Sequence, residues 1–182
     1  MMRPNRRTAL AALGALGAVA MLPKSAIATP DTSPPQGPAF LTVACKIGAA
    51  NRGPAKLETV GFFKHHNIAF DRGMAFDRES LLLLPQRKLS IGTPEAGRGE
   101  FIGPPSLDVL KAAGAEGAGV RLLALDGFAV ELSAADVARL DWTLCLSQNG
   151  KPFGIGDLGP LWLLHTPANG VTPSEGEAKN WV

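Results

Sequence analysis

The feature that most constrains the fold of this chain is an unbroken run of short-element signals between residues 101 and 167. Asp126-Gly127, a dipeptide typical of tight hairpins, lies between two apolar runs. Ser133 and Asp136 have the spacing of a helix capping box. Short strands that alternate with short capped helices predict a single α+β domain, with a mixed β-sheet and short helices packed on it.

Two further helices carry their own start and stop signals. Asp77 is suited to cap the first of them and Pro85 to end it, with Leu81–Leu84 buried against the sheet. The second has Ser106 as its N-cap and Gly114 as its stop.

Alternation of apolar and polar residues gives the strands. Asn149-Gly150 marks a second turn, and residues 92–100 and 166–177 are rich in turn formers and are predicted to be loops. The predicted strands are residues 40–47, 56–63, 87–91, 121–125, 128–132, 142–146 and 161–164.

The N-terminus has the pattern of an export signal. Asn5-Arg-Arg-Thr-Ala-Leu precedes the apolar run 9–22, and Ser25-Ala-Ile-Ala offers a signal-peptidase site. This resembles a twin-arginine signal, and an ordinary secretory signal is the alternative. The apolar run is shorter than the roughly 18–20 residues that a membrane span needs. The expectation is a periplasmic protein without a stable membrane span, divided into signal 1–28, flexible leader 29–39 and domain 40–182.

Removal of that signal changes the charge of the protein. It takes away four of 18 basic residues and none of 16 acidic ones, so the net charge passes from +2 to about −2. This charge gives no support for a nucleic-acid partner or for an anionic membrane. A redox or signalling protein of the periplasm is the expected partner.

The two cysteines have two interpretations in an oxidising compartment. Cys45 alternates in phase with Leu41 and Val43, which predicts a small buried hydrophobe, whereas Cys145 is out of phase with its apolar neighbours. A disulfide between them and two unpaired thiols both remain open.

The histidines and the glycine-rich segment favour structural roles. His65 and His66 are adjacent, so on a strand they would point to opposite faces, and a solvated loop is predicted there rather than a metal site. His165 follows an apolar strand and is predicted to be packed. Gly-x-Gly-x-x-Gly at residues 154–159 opens no helix, which argues against a nucleotide loop. No nucleophile with a base beside it can be assembled, so hydrolysis is not predicted.

Several motifs in order are similar to the oxidoreductase molybdopterin-binding domain of the sulfite oxidase family, and especially to its small exported members. The resemblance covers about residues 40–182 and implies the family's mixed sheet with packed helices. The motifs are Phe76-Asp-Arg with Leu84-Pro-Gln, Phe101-x-Gly-x-x-x-x-Asp-x-Leu, Asp126-Gly-Phe-Ala-Val, Asn149-Gly-Lys-Pro and Gly159-Pro-Leu-Trp-Leu.

The resemblance also implies a site. In that family a cysteine thiolate from the loop after strand 87–91 binds molybdenum, whereas here the loop holds no cysteine; the Cys45 loop is similar to the family's cysteine loop but lies on the first strand. Trp162 replaces a family arginine. No catalytic residue and no metal ligand is therefore assigned. The residues expected to bind a molybdenum cofactor are Thr93, Arg98, Asn169, Gly170 and Lys179.

Two functions follow from these observations. The first is an exported molybdenum-cofactor oxidoreductase, or a subunit of one, that lacks the cysteine ligand. The second is a non-catalytic periplasmic module on the same fold that binds a ligand or a partner protein.

Overall fold

The computed structural model describes residues 31–56, 58, 61–117, 119–178 and 181–182. The predicted signal 1–28 and the candidate Lys179 lie outside the described residues. Within them the chain is an α+β protein of short elements, as predicted. In chain order these are β1 Leu41–Ala44, α1 Phe62–His65, β2 Gly73–Phe76, α2 Arg78–Leu82, β3 Arg87–Thr93, β4 Gly97–Gly103, α3 Ser106–Ala112, β5 Gly119–Leu123, β6 Ala129–Ser133, α4 Ala134–Arg139, β7 Thr143–Cys145, β8 Ser147–Gln148, β9 Lys151–Pro152, β10 Trp162–Leu164 and α5 Glu175–Ala178.

The strands form four small sheets rather than the one mixed sheet that was predicted. Their orders are β1-β2, β3-β4-β8-β9, β5-β6 and β10-β7. Every pairing between the described strands is antiparallel. None of the helices in the described part of the chain is both long and apolar enough to cross a bilayer.

The largest correction concerns residues 92–100, which are a hairpin and not a loop. Strand β3 continues to Thr93, and β4 begins at Gly97 and pairs with it residue by residue. Gly97 has φ 66°, a left-handed conformation that glycine adopts without steric cost. The glycines that suggested a loop therefore make the turn and supply β4 itself.

The core is organised around β7, which is buried on both faces. Trp142, Thr143, Leu144, Cys145 and Leu146 are all at most 8% exposed. A strand covered on both faces has no polar side, so its residues do not alternate. Cys145, predicted to be out of phase with the apolar face, is in fact fully buried.

Cys45 was predicted to be buried, and this prediction was wrong. The regular strand β1 ends at Ala44, and Cys45 follows it with φ 77°, outside the alternation that predicted burial. Its side chain is exposed.

Helix α2 confirms its predicted cap but not its predicted buried face. Asp77 Oδ1 accepts from the backbone N–H of Ser80 at 2.9 Å. Leu81 is fully buried, but Leu82 and Leu83 are 48% and 85% exposed. Because successive helical residues point about 100° apart, a helix of five residues buries one leucine of such a run.

Three other boundaries differ from the prediction. Pro105 is the N-cap of α3 and Ser106 is its first residue, whereas Gly114 does end that helix with φ 59°. Residues 62–65 form helix α1, whereas residues 56–63 were predicted to be a strand and His65-His66 a solvated loop. The predicted loop 166–177 contains the start of α5.

Side chains attach the predicted leader to β2. Asp77 Oδ2 accepts from the backbone N–H of Gly37 at 2.9 Å. The Asn51 amide pairs with both backbone groups of Ala75, at 2.7 and 2.9 Å, and also donates to the carbonyl of Ser33 at 3.0 Å. Residues 33–37 therefore lie against the domain.

Candidate functional site

The structure places the predicted site residues at one location, where the tip of the β3–β4 hairpin meets the loop after β10. The Gly92 backbone N–H donates to the Val171 carbonyl at 2.6 Å. Thr93 follows Gly92, and Arg98 is the partner of Gly92 across the hairpin. The loop on the other side contains Asn169 and Gly170. Four of the five candidates are thus assembled around this contact.

Thr93, in the segment where the resemblance places the metal ligand, forms hydrogen bonds within the hairpin. Its side chain is buried at 6% exposure. Its hydroxyl oxygen accepts from the Ala96 backbone N–H at 2.9 Å and donates to the Gly97 carbonyl at 3.5 Å. The hydroxyl therefore helps to close the turn.

Asn169 and Gly170 set the shape of the loop. Asn169 Oδ1 accepts from the backbone N–H groups of Val171 and Thr172, each at 2.9 Å. Gly170 has φ 75° and donates its N–H to the Pro167 carbonyl at 2.8 Å. This is Asx-turn geometry, which fixes a loop with its own side chain.

Arg98 remains available to a ligand. Its side chain is exposed on β4. Within the described ranges its guanidinium makes no hydrogen bond or ion pair. An exposed guanidinium presents five donors and suits an anionic oxygen ligand.

Glu177 is a central residue of this loop that the sequence analysis missed. Its carboxylate accepts from the backbone N–H groups of Ser174 and Ala168, at 2.9 and 2.7 Å, and from the Ser174 hydroxyl at 2.8 Å. These hydrogen bonds, first among them that from the Ser174 backbone, lower the pKa of Glu177 to about 2. Ser174-x-x-Glu177 is a capping box, so the signal was present in the sequence.

His165, at the start of the same loop, is packed among aromatic rings as predicted. It is 2% exposed. Its ring centroid lies 4.5 Å from that of Trp142 and 5.8 Å from that of Trp181. Nδ1 lies 2.9 Å from the Thr166 carbonyl oxygen, which can only accept, so Nδ1 carries the proton.

The two thiols are unpaired and lie in contrasting environments. Cys145 is fully buried, and this burial raises the pKa of its thiol to about 12. Cys45 lies in a shallow open pocket of about 400 Å³ together with Lys46, Arg72 and Glu116. None of the predicted site residues lines that pocket.

This set of side chains does not fit a molybdenum centre of the sulfite oxidase type. The metal position of that family requires a thiolate, and the hairpin supplies a hydroxyl that is already hydrogen-bonded. The part of the chain that the structure describes has no group of three His, Cys, Asp or Glu side chains placed to hold a metal ion. What the site offers is one exposed guanidinium beside a loop of fixed shape.

The comparisons with known proteins give no independent family assignment, since no family model and no curated protein matches this chain.

Proposed function

We propose that this protein is an exported, non-catalytic binding module on a fold of the sulfite oxidase molybdopterin-binding type, acting in the periplasm on a ligand or a partner protein. The observation that carries the proposal is Thr93. It lies in the segment where the resemblance places the metal-binding cysteine, and its hydroxyl closes the hairpin turn. A hydroxyl used in this way is no substitute for a metal-binding thiolate.

The thiols support the same conclusion. A metal-binding cysteine must ionise, and burial makes ionisation of Cys145 unfavourable at neutral pH. Cys45 is exposed but lies in a pocket whose lining includes none of the four candidate site residues that the structure describes. Neither thiol substitutes for the missing ligand at the hairpin tip.

A second candidate is the oxidoreductase, or an oxidoreductase subunit, that binds the molybdenum cofactor without a protein thiolate. It is favoured by the order of the family motifs and by Arg98, whose exposed guanidinium suits the anionic end of the pterin. The two functions share a fold and a location and differ in whether the protein carries the cofactor.

The deciding experiment is the molybdenum and pterin content of the protein purified from the periplasm of a host that makes the cofactor. The binding-module proposal expects neither, together with the same Tm in protein from a host that cannot make the cofactor. Stoichiometric molybdenum with a fluorescent pterin oxidation product would overturn it.

If cofactor is found, paired variants identify its site. Arg98→Glu should then release the cofactor, whereas Arg121→Glu, a matched charge reversal on the exposed face of β5, should retain it. Equal retention by both variants would place the cofactor away from the hairpin tip.

A further inference from the structure

Two buried tryptophans have polar atoms without a protein partner. Trp142 and Trp181 are 1% and 7% exposed. Within the described residues, the indole Nε1 of each is buried and makes no hydrogen bond. Buried N–H groups are almost always satisfied in native proteins, by protein, water or ligand. Two such donors in one small region call for acceptors beyond the described protein atoms.

Both indoles surround a single imidazole. His165 contacts Trp142 and Trp181 in edge-to-face geometry, with interplanar angles of 79° and 85°. Nδ1 donates to the Thr166 carbonyl, and within the described residues the indole N–H groups of Trp142 and Trp181 have no acceptor. The cluster of these three rings therefore provides two uncharged donors.

We propose that the cluster of Trp142, His165 and Trp181 is an internal binding site for uncharged oxygen atoms, which accept hydrogen bonds from the indole N–H groups. Two sources supply this chemistry: a trapped water molecule, or the carbonyl or hydroxyl oxygen of a small neutral polar ligand. The indole donors carry no positive charge to pair with an anion, so a neutral acceptor is expected.

The loop of residues 166–178 gives a route to this site. It leaves the cluster at His165 and the chain returns to the cluster at Trp181. Its hydrogen bonds are mostly internal, and Gly92 makes a single backbone bond to it from β3. Such a segment can open without unfolding the domain. None of the three rings is among the candidate cofactor residues, although the same loop carries Asn169 and Gly170.

Nuclear magnetic resonance of the indole N–H groups in the full domain tests the proposal. The chain has three tryptophans, so the spectrum has three indole signals, which single Trp→Phe variants assign. Trp162 is the internal reference. A cross-peak from the Trp142 or Trp181 N–H to the water resonance identifies trapped water. Titration with formamide, a neutral acceptor, identifies a ligand site if both signals shift saturably and by more than that of Trp162, whose ring centroid lies 6.2 Å from that of Trp181.

The outcomes are distinct. A long-lived water cross-peak, a saturable formamide shift, or both would support the site and name its occupant. The proposal is overturned if the signals of Trp142 and Trp181 show no water cross-peak and shift with formamide only as much as that of Trp162. Cofactor content does not enter this readout, so a wrong function and a wrong site give separate results.

Discussion

The backbone conformation and hydrogen bonds of single residues affect the stability of this protein in ways that the amino-acid type does not reveal. Cys45 is the clearest case, because its φ of 77° belongs to the left-handed region that L residues avoid. Steric repulsion between Cβ and the backbone makes that conformation costly for every residue except glycine. The position is therefore strained whatever side chain it carries.

Cys45→Gly should raise the free energy of unfolding by about 1 kcal/mol relative to Cys45→Ala, because glycine alone removes the Cβ repulsion. The alanine variant is the matched control, since it loses the thiol and keeps the strain. Urea denaturation of both variants measures the difference. A glycine variant less stable than the alanine variant would contradict the assigned strain.

Asp77 should make stability depend on acid pH. Backbone hydrogen bonds from Gly37 and Ser80 lower its pKa from 3.8 to about 2. A carboxyl group with a lowered pKa in the folded state stabilises above its unfolded pKa, and that stabilisation is lost as pH falls from about 4 to about 2. Asp77→Asn keeps a capping oxygen and should flatten the stability profile in this window.

Loss of the Asp77 cap should lower the free energy of unfolding even at neutral pH. Asp77→Ala should cost about 1–2 kcal/mol at neutral pH, because it removes the cap of α2 and the bond to Gly37. Chemical denaturation at pH 7 and at pH 3 separates the two effects. An Asn variant that loses stability with acid as steeply as the wild type would show that Asp77 is not the titrating group.

At the scale of elements, the sequence predicted best where a local signal decides the structure. The Asp77 cap, the Ser133 cap and the Asp126-Gly127 hairpin were all confirmed. Prediction failed where packing decides. The strand at residues 142–146 was predicted, but the burial of Cys145 was not, because β7 is buried on both faces. Strand β4 was missed because its glycines give no alternation.

Gly103, the last residue of β4, illustrates how packing constrains an element. A Cβ at this position would overlap the backbone carbonyl of Leu144 on β7. Gly103→Ala should therefore cost about 3 kcal/mol or more, because the backbone of one strand must move. Gly53→Ala, where a Cβ meets nothing within 4 Å, should be nearly neutral. Thermal denaturation of the pair compares them, and equal stability would contradict the β4–β7 packing.

At the scale of the whole molecule, four of the five candidate residues chosen from the sequence lie near one another, but the roles of their side chains were not predicted. Resemblance selected Thr93, Arg98, Asn169 and Gly170, and the structure brings them together through one backbone contact. The side chains of Thr93 and Asn169 each form hydrogen bonds within their own turn. These bonds depend on the three-dimensional structure and could not be predicted from sequence. The unpartnered indoles likewise could not be predicted, because burial and partners both depend on the complete fold.

The stability of the protein should not depend on a disulfide between its two cysteines. Both thiols are free, and Cys145 is buried with a pKa raised to about 12. A thiol reagent should modify one cysteine in the native protein and the second only after unfolding, and a reductant should leave Tm unchanged. Immediate reaction of both thiols, or a Tm lowered by reductant, would contradict this arrangement.

The turn between β8 and β9 is also a site of slow chemical modification. Asn149 has φ 49°, is exposed and precedes Gly150, and its side-chain oxygen accepts from the backbone N–H of Glu100. Glycine leaves the following peptide nitrogen unshielded, so spontaneous deamidation through a cyclic imide should occur at Asn149 and at the other exposed Asn-Gly pair, Asn169-Gly170. At Asn149 the isoaspartate product would lengthen the turn and move that oxygen away from β4. Peptide mapping after mild alkaline storage should find the modification at Asn149 and not at Asn51, whose amide is held by Ala75. Deamidation of the Asn149 side chain would then limit how long the sheet β3-β4-β8-β9 keeps its native structure.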